Sequence, residues 1–294
     1  MSAIIINGKE TAQKLRDDVR KRTLALKERG INPCLAVILV GDNPASVSYV
    51  TGKKKALAEA GMEDRDIRLP FETTEAELLS LIASLNADPN VHGILVQHPF
   101  PPHMNEDRVF SGITPLKDVD GFSTLSAGNL MLGKPGFVPG TPLGIIHLLS
   151  EWKIPVAGGH VVIVGRSNIV GKPLANLLTR KEHNATVTVC HTGTPELSYF
   201  TQQADILIAA AGRPGLITKD MVKDGAAVID VGVNRIPDST KKKGFHLTGD
   251  VDYEGLVEKA GWITPVPGGV GPMTIAMLMQ NVADAAEGIH HEAG

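Results

Sequence analysis

Runs of four to eight apolar residues punctuate this chain, and between them apolar positions recur at helical spacing. Such alternation predicts strand, helix, strand crossovers around parallel sheets, because a parallel strand is buried on both faces and needs a long connection to return. CLAVILV (34–40), DIRLP (66–70) and GILVQ (93–97) form a first set of strands. HVVIVG (160–165), TVTVC (186–190), DILIAA (205–210) and AAVIDVG (226–232) form a second, more regular set. Between them GNLMLGKPGFVPGTPLG (128–144) is too broken by glycine and proline to continue either sheet, so the boundary is placed there. The last helical pattern, PMTIAMLMQNVADAAEG (272–288), sets Ile275, Leu278, Met279 and Val282 at helical spacing. It either closes the second domain or returns to pack on the first. The final HHEAG reads as a frayed tail.

Length and composition narrow this picture. A chain of 294 residues exceeds the usual single domain and can bury two cores or one large one. With 43% hydrophobic and 21% charged residues it has the balance of a folded globular chain. The net charge of -3 gives no broad basic footprint, so neither nucleic acid nor an anionic membrane is an expected partner, and any anion site must be local. No apolar run approaches a bilayer's thickness, and MSAIIINGKE lacks the features of a secretory signal; a cytoplasmic location is expected. Cys34 and Cys190 sit inside apolar runs as small hydrophobes, with neither disulfide nor metal ligation expected.

Candidate chemistry begins where the first strand ends. Asp42, Asn43 and Pro44 form a turn, Ser46 suits a helix cap, and ASVSYVTGKKKALAEAG then reads as a helix. At the helical period Lys53 stands about 40° from Tyr49, Lys54 about 140° and Lys55 about 240°. Only Lys53 shares the tyrosine's face, above the small residues Ala56 and Ala60. The same run also fits three lysines solvating a helix. Position favours chemistry, since ligands of open α/β folds bind outside the carboxyl ends of strands. Gln97 follows another strand, and KDVDG (117–121) offers Asp118 and Asp120; each fragment taken singly also fits a loop cap or a turn.

In the second half HVVIVGRSNIVGKPLANLL (160–178) has the strand, glycine turn and helix of a dinucleotide-binding unit without the GxGxxG pattern. Arg166 and Ser167 stand where the second glycine would be, and an arginine beside a hydroxyl suits a phosphate monoester, which favours NADP over NAD. Thr192 and His191 end the next strand, and AAGRPG (210–215) and DVGVN (230–234) place glycine directly after two more. Those glycines allow a flat cofactor to approach the backbone. TPVPGGVGPMT (264–274) leads into a helix whose first N–H groups can meet a carbonyl or carboxylate, or it is a plain linker.

With these strings assembled, the chain resembles the bifunctional methylenetetrahydrofolate dehydrogenase/methenyltetrahydrofolate cyclohydrolase family over nearly its whole length. The resemblance rests on SxxYxxxK (Ser46, Tyr49, Lys53), GILVQ (93–97), KDVDG (117–121), GRSxIVGxP (165–173) and PGGVGPMT (267–274). It implies an α/β fold of two domains with a cleft between them, each a mainly parallel sheet flanked by helices: a folate domain over 1–138 with a return helix over 272–294, and a Rossmann-like NADP domain over 139–271. It implies that Lys53 assists water attack and proton transfer, that Gln97 orients it, that Tyr49 stacks on the aminobenzoyl ring and that Asp120 binds the pterin edge. Val96 and His98 would join them against folate, with Pro267, Gly268, Gly269, Val270 and Gly271 lining the same ligand. Gly165, Arg166, Ser167, Thr192 and Val233 would hold NADP. A homodimer and no metal are implied as well. His98 replaces a common leucine and Thr192 stands where serine also occurs, each leaving the neighbouring chemistry in place. A further formate-ligase domain, carried by some relatives, is not expected.

Two other classes fit parts of the chain. A different NAD(P)-linked dehydrogenase would use SYVTGK only structurally, and replacing Lys53 would then leave every activity intact. A non-catalytic nucleotide-binding protein would give no NADPH from methylenetetrahydrofolate and NADP.

Overall fold

The computed structural model describes residues 2–241 and 244–289; the terminal HHEAG lies outside the described residues. From the amino end, β1 (Ile4–Ile5) leads to α1 (Gly8–Glu28), β2 (Cys34–Val40), α2 (Pro44–Glu59), β3 (Glu63–Leu69), α3 (Glu75–Ala87) and β4 (Gly93–Val96). Three helices follow: α4 (Glu106–Ser111), α5 (Thr124–Leu132) and α6 (Gly140–Glu151). Next come β5 (His160–Val164), α7 (Gly171–Leu178), β6 (Thr186–Cys190), α8 (Leu197–Thr201), β7 (Ile206–Ala209) and β8 (Ala227–Asp230). The chain finishes with β9 (Asn234–Pro237), β10 (Phe245–Thr248), α9 (Tyr253–Leu256), β11 (Trp262–Ile263) and α10 (Val270–Glu287). It divides into two compact units, Gln13–Gly140 with the chain from Ile275 onward, and the residues up to Ala12 with Thr141–Thr274.

The first unit holds a parallel sheet in the order β3-β2-β4. All seven residues of the central strand β2 are buried, which is why its sequence is unbroken rather than alternating. Leu35 and Val37 pack with Val50 and Leu57 of α2 and with Leu278, Met279 and Val282 of α10. Ala36 and Ile38 face the other way, onto Leu78 and Ile82 of α3. The apolar stripe of α10 therefore buries itself in this unit's core. β3 starts three residues before the predicted strand, pairing Glu63 with Cys34 and running to Leu69 with Val40. Its charged residues, partly exposed at the sheet edge, conceal it from a hydrophobic pattern.

The second unit carries a parallel sheet in the order β1-β11-β8-β7-β5-β6 and an antiparallel hairpin of β9 and β10. The chain's first residues, placed within the expected folate domain over 1–138, form a strand of this sheet that the hydrophobic pattern did not predict. Ile4 and Ile5 pair in parallel with Trp262 and Ile263, and the Ile6 N–H donates to the Ile263 carbonyl at 2.8 Å. A two-residue strand is too short to announce its partner in the sequence. The chain passes from β5 outward to β6 and then crosses back to β7 on β5's other side. That reversal opens a crevice at the carboxyl ends of β5 and β7, the usual ligand position in such sheets.

Candidate active site

β2 delivers the chain to α2, which starts at Pro44, two residues before the expected cap. Asn43 Oδ1 accepts the Ser46 N–H at 3.4 Å, so Asn43 takes the capping role and Ser46 lies inside the first turn. The Ser46 hydroxyl instead donates to the His98 carbonyl at 2.9 Å, fixing the loop after β4. One turn on, Tyr49 is half exposed and Lys53 partly buried.

Lys53 Nζ donates to Gln97 Oε1 at 3.1 Å. Gln97 lies just past β4, its N–H donating to the Ile38 carbonyl at 2.8 Å, and its Nε2 donates to the His98 carbonyl at 2.9 Å. A backbone carbonyl can only accept, so the amide must turn its NH2 there and its oxygen to the lysine. Burial draws the Lys53 ammonium below the usual lysine value, against the opposing pull of the Asp120 charge. Burial likewise pushes the Asp120 carboxyl above its ordinary range, with Lys53 opposing, Asp118 adding and His98 opposing more weakly. Each group is thereby moved toward its neutral form, the direction a proton-transferring site requires. The neighbouring lysines are engaged elsewhere: Lys54 Nζ lies 3.5 Å from Asp66 and 3.6 Å from Asp64, and Lys55 Nζ lies 3.7 Å from Glu59.

The two aspartates of KDVDG separate cleanly. Asp118 is buried and accepts from Phe122 N–H at 3.2 Å, Ser123 N–H at 2.9 Å and Ser126 hydroxyl at 2.7 Å, which builds the turn into α5. Lys117 Nζ donates to the carbonyls of Leu85, Asn86 and Asp88, closing the carboxyl end of α3. Asp120 alone is left to face Lys53. Sequence reasoning missed Asn281 of α10, whose buried Nδ2 donates to the carbonyls of Val119 at 2.8 Å and Val138 at 3.0 Å. It ties down the residue next to Asp120; an amide beside the apolar Leu278 and Val282 was the available signal.

Val96 is buried in the core, paired with Ile38 in the β2–β4 ladder. His98 precedes a cis peptide to Pro99; its ring stacks on Phe100 at 4.8 Å between centroids, and its Nδ1 lies 3.4 Å from Glu106 Oε1.

The remaining candidates belong to the second unit. Gly165 ends β5 at φ 139°, and a β-carbon there would overlap the Ala210 carbonyl oxygen. A β-carbon on Gly171 would in turn overlap the Gly165 carbonyl, so the turn and the start of α7 close on β5 only as glycines. Arg166 and Ser167 follow, both exposed, and Ser167 Oγ accepts the Val170 N–H at 3.2 Å. Thr192 lies exposed after β6, in a turn closed by the His191 N–H to Thr194 Oγ1 at 2.9 Å. Val233 is half exposed after β8. Gly212 and Gly215 have positive φ and no atom within 4 Å of where a β-carbon would stand. Bare backbone beside an exposed arginine at the sheet's reversal fits a dinucleotide. At the head of α10, Pro267 and Gly271 are exposed while Gly268, Gly269 and Val270 are buried. Among the described residues no group of three His, Cys, Asp or Glu is arranged to hold a metal ion, and no helix is long and apolar enough to cross a membrane.

A lysine gripped by an oriented amide beside a partly buried carboxyl, together with a separate sheet whose reversal is lined by glycine, defines a dinucleotide-linked α/β enzyme. Residues 6–120 match the family model of the tetrahydrofolate dehydrogenase/cyclohydrolase catalytic domain, and residues 139–290 match that family's NAD(P)-binding domain. The chain belongs to the tetrahydrofolate dehydrogenase/cyclohydrolase family. The Bifunctional protein FolD of Exiguobacterium sibiricum is 54% identical over 285 residues, covering 97% of this chain and 100% of the relative. The solved bifunctional FolD of Campylobacter jejuni is 47% identical with a TM-score of 0.93, covering 98% of this chain and 99% of that one. The Trypanosoma brucei enzyme, solved with NADP cofactor and an inhibitor, is 35% identical with a TM-score of 0.93 and covers 98% of each chain.

Proposed function

We propose that Lys53 is the proton-transferring residue of the hydrolytic half of a bifunctional folate enzyme. The protein oxidises 5,10-methylenetetrahydrofolate to the 5,10-methenyl cation and hydrolyses that cation to 10-formyltetrahydrofolate. NADP, when bound, accepts the hydride that leaves the methylene carbon. The observation that carries the reading is the 3.1 Å contact between Lys53 Nζ and an amide that can offer only its oxygen.

A neutral Lys53 amine takes a proton from water as the oxygen bonds to the methenyl carbon; the resulting ammonium returns one to the nitrogen that departs when the ring opens, and the added hydroxyl loses its proton to solvent as it becomes the formyl carbonyl. Gln97 holds the amine in position. Asp120 binds the pterin edge, which its raised affinity for a proton suits, and Tyr49 stacks on the aminobenzoyl ring. Val96 backs Gln97 from the core, and His98 walls the pocket. In the other unit Gly165, Arg166, Ser167, Thr192 and Val233 hold NADP, with Arg166 meeting the phosphate monoester that distinguishes NADP from NAD. The Pro267–Gly271 turn presents backbone N–H groups to a ligand carbonyl or carboxylate. The folate role goes to residues 1–138 with the returning helix and the cofactor role to 139–271. We also propose a cytoplasmic homodimer with no nucleic-acid or membrane partner.

The test is direct. Mixing the protein with methylenetetrahydrofolate and NADP is expected to give NADPH absorbance and a transient methenyl species. Absence of both across the neutral pH range would contradict the reading, and equal turnover with NAD would contradict the role given to Arg166.

A further inference from the structure

A buried carboxylate that no part of the proposed chemistry uses sits beneath the reversal of the second unit's sheet. Asp250 is fully buried, between β10 and α9. Its Oδ2 accepts the N–H groups of Ala211 at 2.7 Å and Gly212 at 2.8 Å, and its Oδ1 accepts Asn234 Nδ2 at 2.8 Å. The Asp250 N–H donates to Asp230 Oδ1 at 2.9 Å, and Asp230 also accepts from Gly232 at 2.9 Å and Val251 at 3.1 Å. These two carboxylates crowd Gly232 and Gly249 so closely that a β-carbon on either would overlap a carboxylate oxygen.

The loop so gripped follows β7 at the carboxyl side of the crevice. Its first residue, Ala210, places its carbonyl oxygen where a β-carbon on Gly165 would stand, and the Gly165 carbonyl in turn abuts Gly171 at the head of α7. Ala210 itself donates its N–H to the Val164 carbonyl at 2.8 Å, one step beyond the β5–β7 ladder. Beyond it, Ala211 and Gly212 turn their N–H groups inward to Asp250, which leaves the outer surface of the loop bare at Gly212. A loop of small residues and glycine is conformationally free unless something fixes it. One charged acceptor taking two successive N–H groups supplies that constraint at a cost in burial which only full hydrogen bonding offsets.

We infer that Asp250 is a positioning residue for the dinucleotide: by holding Ala211 and Gly212 it preorganises the wall of the crevice that the cofactor meets, with Asn234 orienting the carboxylate. This rests on the reading that NADP lies at the reversal between β5 and β7. Asp250 itself touches no ligand in this account and acts through the backbone of residues 210–212.

The experiment uses the full chain and the variant Asp250→Asn, whose shape is nearly unchanged but whose charge-assisted bonds to the loop are lost. Calorimetric titration with NADP is expected to give a Kd raised roughly tenfold, the loss of about one hydrogen bond to a charged group. In NADP-free protein the amides of Ala211 and Gly212 should exchange with solvent faster, while those of Val161 to Val164 keep their protection. Faster exchange with an unchanged Kd would overturn the proposal, since the bond would then serve the fold alone. Unchanged exchange would overturn it equally. Failure of the wild-type protein to bind NADP would contradict the cofactor reading, leaving the exchange result to report on the brace. Should Asp250→Asn not fold, Asn234→Ala removes the orienting amide together with its longer contacts to the Thr248 and Gly249 carbonyls; a Kd raised about threefold supports the proposal and an unchanged Kd overturns it.

Discussion

Lys53 and Asp120 each oppose the shift that burial imposes on the other, so their titrations answer to one another. Removing the carboxylate charge leaves desolvation of the lysine unopposed, which lowers its affinity for a proton further. In Asp120→Asn the rising limb of hydrolysis against pH should therefore move to lower pH, measured on the methenyl species as substrate; a limb shifted upward would refute the coupling. Lys54→Ala and Lys55→Ala should hydrolyse at the wild-type rate, because their ammonium groups answer Asp66, Asp64 and Glu59 outside the site. That Lys53 faces a different way from Lys54 and Lys55 was legible in the sequence because helical period fixes angular position independently of tertiary contacts. Spacing alone did not separate Asp118 from Asp120, which only the resemblance singled out. The groups that claim Asp118 lie four to eight residues downstream, and nothing in KDVDG shows that the chain will fold back on that carboxylate.

Strands buried on both faces were readable from sequence, since β2 and β7 are wholly apolar and β5 and β8 are interrupted only at one end, by His160 and Asp230. β1 and β11, two residues each, lie below the length at which a pattern can speak, and β9 and β10 mix polar with apolar positions too closely to show one. The entry to α2 shows a second limit. Ser46 has the chemistry of a cap, yet Asn43, three residues upstream, takes that role and frees the serine hydroxyl to secure the loop carrying Gln97. Between β4 and α5 the chain depends on Asp118 rather than on apolar packing alone. Asp118→Ala leaves three donors, two of them buried, without an acceptor and should cost about 2–4 kcal/mol in urea unfolding, while Asp118→Asn should recover part of the loss. Equal stability of wild type and Asp118→Ala would contradict the structural role assigned to this side chain.

Across the whole molecule, Asp230 makes stability depend on pH in an unusual sense. Burial raises its carboxyl to about 6 despite three backbone N–H partners, with the nearby Asp250 charge adding to the rise. The folded protein thus holds a proton that the unfolded chain releases, and the associated stability is full below the ordinary carboxylate range and lost as pH rises through about 6. Urea midpoints taken from pH 5 to pH 7 should fall for the wild type relative to Asp230→Asn; a constant difference would show that this carboxyl does not titrate there. The proposed homodimer is checked by sedimentation, where twice the chain mass is expected and a single chain mass would contradict it. The claim on which the account chiefly depends concerns one amine. Methenyl hydrolysis by Lys53→Met, followed at neutral pH in protein whose thermal melting confirms the fold, is predicted to be slower by about two to four orders of magnitude. Hydrolysis at the wild-type rate would contradict it.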